Sequence, residues 1–118
     1  MNINEITIKY KINNDEKLRI FGDIFIKNNK NNFQMYINKN RYELNNIIDI
    51  KNLKTEKNIL EIKLNEINKI SDISFMFDDC TSLISVSCLD KIEVNQINNM
   101  RLMFNNCNNL YFLSGISK

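Results

Sequence analysis

Hydrophobic and polar residues alternate along the first half of the chain. Ile6, Ile8, Tyr10 and Ile12 are separated by Thr7, Lys9 and Lys11, the two-residue period of a strand with one buried face. Asn13-Asn14-Asp15 ends that run with turn chemistry. Leu18 and Ile20 alternate again until Gly22-Asp23 interrupts them. Phe33, Met35 and Ile37 follow, then Asn38-Lys39-Asn40, then Tyr42 and Leu44, which reads as a hairpin with an Asn able to take positive φ in its turn. Ile47, Ile48 and Ile50 predict a short further strand. Leu60, Ile62 and Leu64 close the series, with Glu61 and Lys63 facing outward. About five strands with one wet face predict a small antiparallel sheet over residues 1–65. Residues 23–32 predict one helical turn.

Beyond residue 65 the texture changes. A shift of 27 residues lays Ile67–Lys91 on Val94–Lys118 without a gap. Ile67 meets Val94, Ile70 meets Ile97, Ile73 meets Met100 and Phe75 meets Leu102. Val86 meets Leu113, Leu89 meets Ile116, and Asp78-Asp79 meets Asn105-Asn106. A fixed period of this length marks units that cannot bury an apolar face alone and must stack on one another.

The unit Met76-Phe77-Asp78-Asp79-Cys80-Thr81-Ser82-Leu83 returns as Met103-Phe104-Asn105-Asn106-Cys107-Asn108-Asn109-Leu110. It resembles the BspA-type leucine-rich repeats, in the variety seen in mycoplasma surface lipoproteins and expanded in protists, over roughly residues 67–118. Lys91-Ile92-Glu93 stands where the family often has a Trp. The resemblance implies a repeat core of Met76, Phe77, Cys80, Leu83 and Val86 in one coil, with Cys88 also inward. Met103, Phe104, Cys107, Leu110 and Leu113 form the core of the next. It turns Ile84, Ser85 and Ser87, and then Tyr111, Phe112 and Ser114, outward as a candidate partner-binding face. The fold expected is mainly β with short helical turns (α+β). A small antiparallel domain, residues 1–65, caps a two-coil leucine-rich-repeat-like solenoid, residues 66–118, and Leu60–Leu64 leads directly into the first coil. Bacterial members of the family look like surface adhesion and binding proteins. The function implied is a non-catalytic protein–protein interaction or scaffold module, with self-association possible through the uncapped C-terminal coil.

Composition narrows the alternatives. Asn, Ile and Lys dominate, with 23, 20 and 13 copies in 118 residues, so a single Asn or Lys carries little information. The absence of His removes the usual general base and the commonest metal ligand. With two glycines and no G-x-S-x-G there is no phosphate-gripping loop or nucleophile elbow. No cofactor or metal is expected, and the Asp78-Asp79 pair, as a cation site, is broken by Asn105-Asn106 in the second unit. Cys80, Cys88 and Cys107 have neither C-x-x-C spacing nor an even count. With no apolar leader and no membrane-length apolar run, they suggest a reduced, intracellular (cytoplasmic) protein, the cell surface being the alternative if Met1 is not the true start. Two other readings remain. Residues 1–65 carry twelve basic and eight acidic side chains, so Lys9, Lys11, Lys17, Lys27 and Lys30, with Tyr10 and Phe33 for stacking, form an alternative, weak nucleic-acid surface. Cys88, which falls opposite Gly115, is the thiol on which a cysteine-dependent enzyme would rest.

Overall fold

The alternating segments become strands whose buried positions are the apolar ones. In the computed structural model, which describes residues 5–13, 16–89 and 100–114, the chain runs β1 (Glu5–Lys11), β2 (Lys17–Arg19), α1 (Asp23–Asn29), β3 (Phe33–Ile37), β4 (Asn40–Tyr42), β5 (Ile47–Asp49), β6 (Ile59–Glu66), β7 (Leu83–Ser87) and β8 (Phe112–Leu113). β3 and β4 meet in a two-residue hairpin in which Asn38 (φ 52) and Lys39 (φ 70) both lie in the left-handed region, as a primed turn requires. Leu44, expected in that hairpin, is buried just beyond it. The helical turn at residues 23–32 is present as the seven-residue α1.

Six strands form one mixed sheet in the order β4-β3-β6-β1-β7-β8, and β2 pairs with β5 in a separate two-stranded sheet. The inner face carries Ile6, Ile8, Tyr10, Met35, Ile37, Leu60, Ile62, Leu64, Leu83 and Val86. It joins Phe21, Phe25, Ile73, Met76, Phe77 and Cys80 in one buried cluster. Tyr10 Oη donates to the Ile20 carbonyl at 2.5 Å, which ties the sheet to the covering layer.

The expected capped solenoid is not what forms. β7 does not continue from Leu60–Leu64. It pairs antiparallel with β1, with Thr7 opposite Ser87 and Ile8 opposite Val86, and β6 lies on the other side of β1. The described residues make a mixed sheet folded over a single core. Their radius of gyration, 13.3 Å, equals the roughly 13.5 Å of a compact domain of this length. The physical reason lies in what a repeat reports. A 27-residue period says that two segments share a local conformation. It does not say which strand edge the first of them will join.

The repeat does set local register. Main-chain N–H groups of Phe75, Phe77 and Asp79 donate to the carbonyls of Arg101, Met103 and Asn105, each at 2.9 Å. β8 then pairs parallel to β7, with Ser85 opposite Phe112. Positive φ recurs at the same period, in Phe75 and Leu102 and in Asp79 and Asn106. Lys9 pairs with Ser85 but Tyr10 pairs with Leu83, so Ile84 is an extra residue in β7. That bulge brings Leu83 and Val86, three apart, to the same inner face. The repeat positions Val94, Ile97 and Ile116 and the segment Lys91-Ile92-Glu93 lie outside the described residues.

Asn29, at the end of α1, shows why one Asn among many matters. It is 2% exposed. Its Nδ2 donates to the Phe25 carbonyl (3.2 Å) and the Asp72 carbonyl (2.7 Å), and its Oδ1 accepts from Asn32 (2.9 Å). Asn29→Leu leaves the Asp72 carbonyl without this donor, so a loss of about 1–3 kcal/mol is expected. Thermal unfolding should show a drop of several degrees, whereas Asn28→Leu, on the exposed side, should leave the midpoint nearly unchanged.

Candidate functional site

Among the described residues the second unit supplies the last strand of the sheet, and the candidate site lies on that side. Of the first unit's expected core, Met76, Phe77, Cys80, Leu83 and Val86 are all buried. In the second unit Met103 is buried, Phe104, Cys107 and Leu110 are half-buried, and Leu113 is 39% exposed. Leu113 points inward beside Val86, but nothing described lies beyond β8 to cover it. Cys88, also expected inside, is exposed at the end of β7. The causes differ: Leu113 points inward with no further described layer to cover it, whereas Cys88 has left the strand at a φ of 66 and falls outside its alternation.

The six candidate partner-binding residues divide. Ile84 and Ser85 are buried, and Ser87 and Ser114 are half-buried. Tyr111 and Phe112 are 78% and 48% exposed. Ile84 and Tyr111 together line two adjoining grooves on the outer face of the sheet, of about 800 Å³ and about 580 Å³, with Ile59 common to both. The larger is also bordered by Lys9, Lys54, Glu56, Lys57 and Glu61, and the smaller by Lys11, Thr81 and Asn109. Sequence reasoning reached Lys9, Lys11, Ile84 and Tyr111 but missed Lys54, Lys57 and Ile59. Ile59 was legible as the outward position before Leu60. Lys57 and Asn58 sit at φ 55 and 61 in a tight turn closed by a bridge between Glu56 and Ile59.

The nucleic-acid constellation is not assembled. Tyr10 and Phe33, proposed for stacking, are both in the core. Lys17 lies on β2, Lys27 on α1 and Lys30 just after it, while Lys9 and Lys11 are on the outer face of β1.

Asp78 and Asp79 are held by the second unit. Asn105 Nδ2 donates to Asp78 Oδ1 at 2.8 Å, and Asn106 Nδ2 to Asp79 Oδ1 at 2.7 Å. The exchange of Asp for Asn between units therefore has a structural cause, since stacking carboxylate on carboxylate would repel. Among the described residues, no three His, Cys, Asp or Glu side chains are grouped to hold a metal ion.

The stacked thiols have raised pKa values. Burial, and next the neighbouring Cys107, push Cys80 far above its ordinary value. Burial lifts Cys107 from 9.0 to about 11, against a lowering hydrogen bond from the Cys80 backbone. Burial, then the two thiols, raise the Tyr10 phenol as well. All three groups keep in the folded state a proton that the unfolded chain gives up more readily. Their contribution to stability is complete below about pH 9; the Cys107 share is lost as pH rises through about 11, and the Cys80 and Tyr10 shares continue to fall at higher pH. Urea midpoints should fall steadily across that window, and Cys107→Ser should flatten part of the fall. A level profile across the window would contradict this account.

No family model, curated protein or solved structure matches this chain. Among the described residues, no helix is long and apolar enough to cross a membrane.

Proposed function

We propose that the chain is a non-catalytic protein-interaction module that docks a polypeptide partner at the β8 end of its sheet. One observation carries this reading. Of the eight large hydrophobic residues exposed among those described, Met100, Leu102, Tyr111, Phe112 and Leu113 all belong to the second unit. Scattered exposed apolar residues are ordinary, but Tyr111, Phe112 and Leu113 are consecutive at the last strand of the sheet, the kind of surface that partners bury. An edge strand also offers unpaired main-chain groups to another strand. The resemblance of residues 67–118 to repeats of adhesion and binding proteins points the same way.

Photocrosslinking tests the proposal. A benzoyl-phenylalanine placed at Phe112 should give a discrete protein adduct in native cells. The same group at Ile24, 44% exposed on α1, serves as control. Equal, diffuse labelling from both positions would overturn the reading.

A further inference from the structure

We infer that the partner segment is an extended, acidic polypeptide. It lies across the outer sheet face, setting carboxylates against the lysines that border the two grooves and apolar side chains on their shared floor. The inference rests on the protein-interaction reading above and gives its ligand a chemistry.

Charge complementarity carries the argument. Lys9, Lys11, Lys54 and Lys57 border the two grooves, against Glu56 and Glu61. Glu61 is already engaged, its Oε2 lying 3.2 Å from Lys63 Nζ. Glu56 is then left facing four lysines, none of which forms an ion pair with a described residue. The grooves are therefore net cationic, although the whole chain carries only +2. Such a field favours an anionic ligand and speeds its encounter.

The shape and floor of the grooves select among anions. Their shared lining is Ile59, Ile84 and Tyr111, two aliphatic side chains and one ring. That suits a segment carrying apolar side chains as well as acidic ones, the first for the floor and the second for the lysine border. β8 is the last strand of the sheet, two strands from β1, which carries Lys9 and Lys11. A segment that reaches Lys9 and Lys11 must therefore cross the outer faces of β7 and β8 rather than lie only along the β8 edge. A single-stranded nucleic acid would want a series of stacking rings and guanidinium groups. These grooves offer one ring and no arginine.

Fluorescence anisotropy with three labelled probes provides the test: a dodecapeptide alternating Glu with Val, its Lys/Val counterpart, and a twelve-nucleotide oligo(dT). The acidic peptide should bind the full chain best. Its affinity should weaken about tenfold on moving from low to high salt. Lys11→Glu/Lys54→Glu, one lysine from each groove, should reduce it by at least about tenfold while leaving the thermal midpoint near wild type, since both side chains are exposed and Lys11 faces Ile59, not a carboxylate, across the sheet. Tyr111→Ser should weaken binding without changing the salt response. Equal affinity for acidic and basic peptides, tighter binding of oligo(dT), or a Lys11→Glu/Lys54→Glu variant that binds unchanged would overturn the inference. Should that occur while the Phe112 adduct persists, the interaction reading survives and only its ligand chemistry falls. Loss of the adduct as well removes both.

Discussion

Phe77→Ala should cost about 3–5 kcal/mol, a large part of the stability of a domain this size. The Phe77 ring is fully buried between Phe21 (centroids 5.7 Å apart) and Phe104 (5.6 Å, interplanar 9°). Through these contacts it joins the layer before α1 to both repeat units. Removing it opens a cavity that backbone bonded on both sides cannot close. The Phe77 N–H is held by the Met103 carbonyl, and the Phe77 carbonyl accepts from Cys80. Phe104→Ala, at the same position 27 residues later, should cost about 1–2 kcal/mol, because that ring is already partly in water. Urea denaturation followed by far-ultraviolet circular dichroism, with hydrogen exchange at Ile8 and Ile62, provides the measurement. One shared core requires those strands to lose protection together with β7. Unchanged protection in β1 and β6, with loss confined to residues 73–89, would mean that the two halves unfold independently.

Gly22→Ala is the second large effect. A Cβ at position 22 would stand 2.0 Å from the Phe75 carbonyl oxygen and 3.0 Å from Asp78 Cβ. The glycine's φ of −70° suits any residue, so the objection is space rather than conformation. The close approach is fixed by the Gly22 N–H, which donates to the Met76 carbonyl at 2.9 Å. To admit a methyl group, α1 or the first repeat turn must move, breaking that bond and disturbing Phe21 and Phe77 together. A loss of about 3 kcal/mol or more is expected, comparable to overpacking a rigid core. Asp23→Ala serves as the neighbouring control. It removes a carboxylate held low chiefly by its hydrogen bond from Arg19, at an exposed site, and should cost well under about 1 kcal/mol. A Gly22→Ala variant as stable as Asp23→Ala would show that the contact is not tight.

Much of the local structure was written in the chain. The two-residue alternation placed the strands around Ile8, Met35 and Ile62, with their buried faces, because a strand's side chains point alternately whatever it pairs with. Asn38-Lys39 marked a turn, since few residues accept positive φ. The 27-residue shift correctly paired Phe77 with Phe104 and Asp78 with Asn105, because like sequences adopting like conformations stack in register. Gly22, by contrast, read as a simple break between strand and helix. Its actual constraint comes from Phe75 and Asp78, more than fifty residues away.

Tertiary structure alone decided where the repeat attaches. Strand edges carry the same donors and acceptors, so no local pattern told β7 to join β1 rather than follow β6. That choice abolished the expected solenoid and carried Lys9 and Lys11 to the same grooves as Ile84 and Tyr111. It also separated the candidate residues by environment. Ile84 became buried floor and Tyr111 exposed rim, because burial depends on which layers lie on either side. The sequence determined the conformation of each segment through short-range sterics and hydrophobic period. Long-range pairing and the final layer determined the site, because they settle which side chains lose their water.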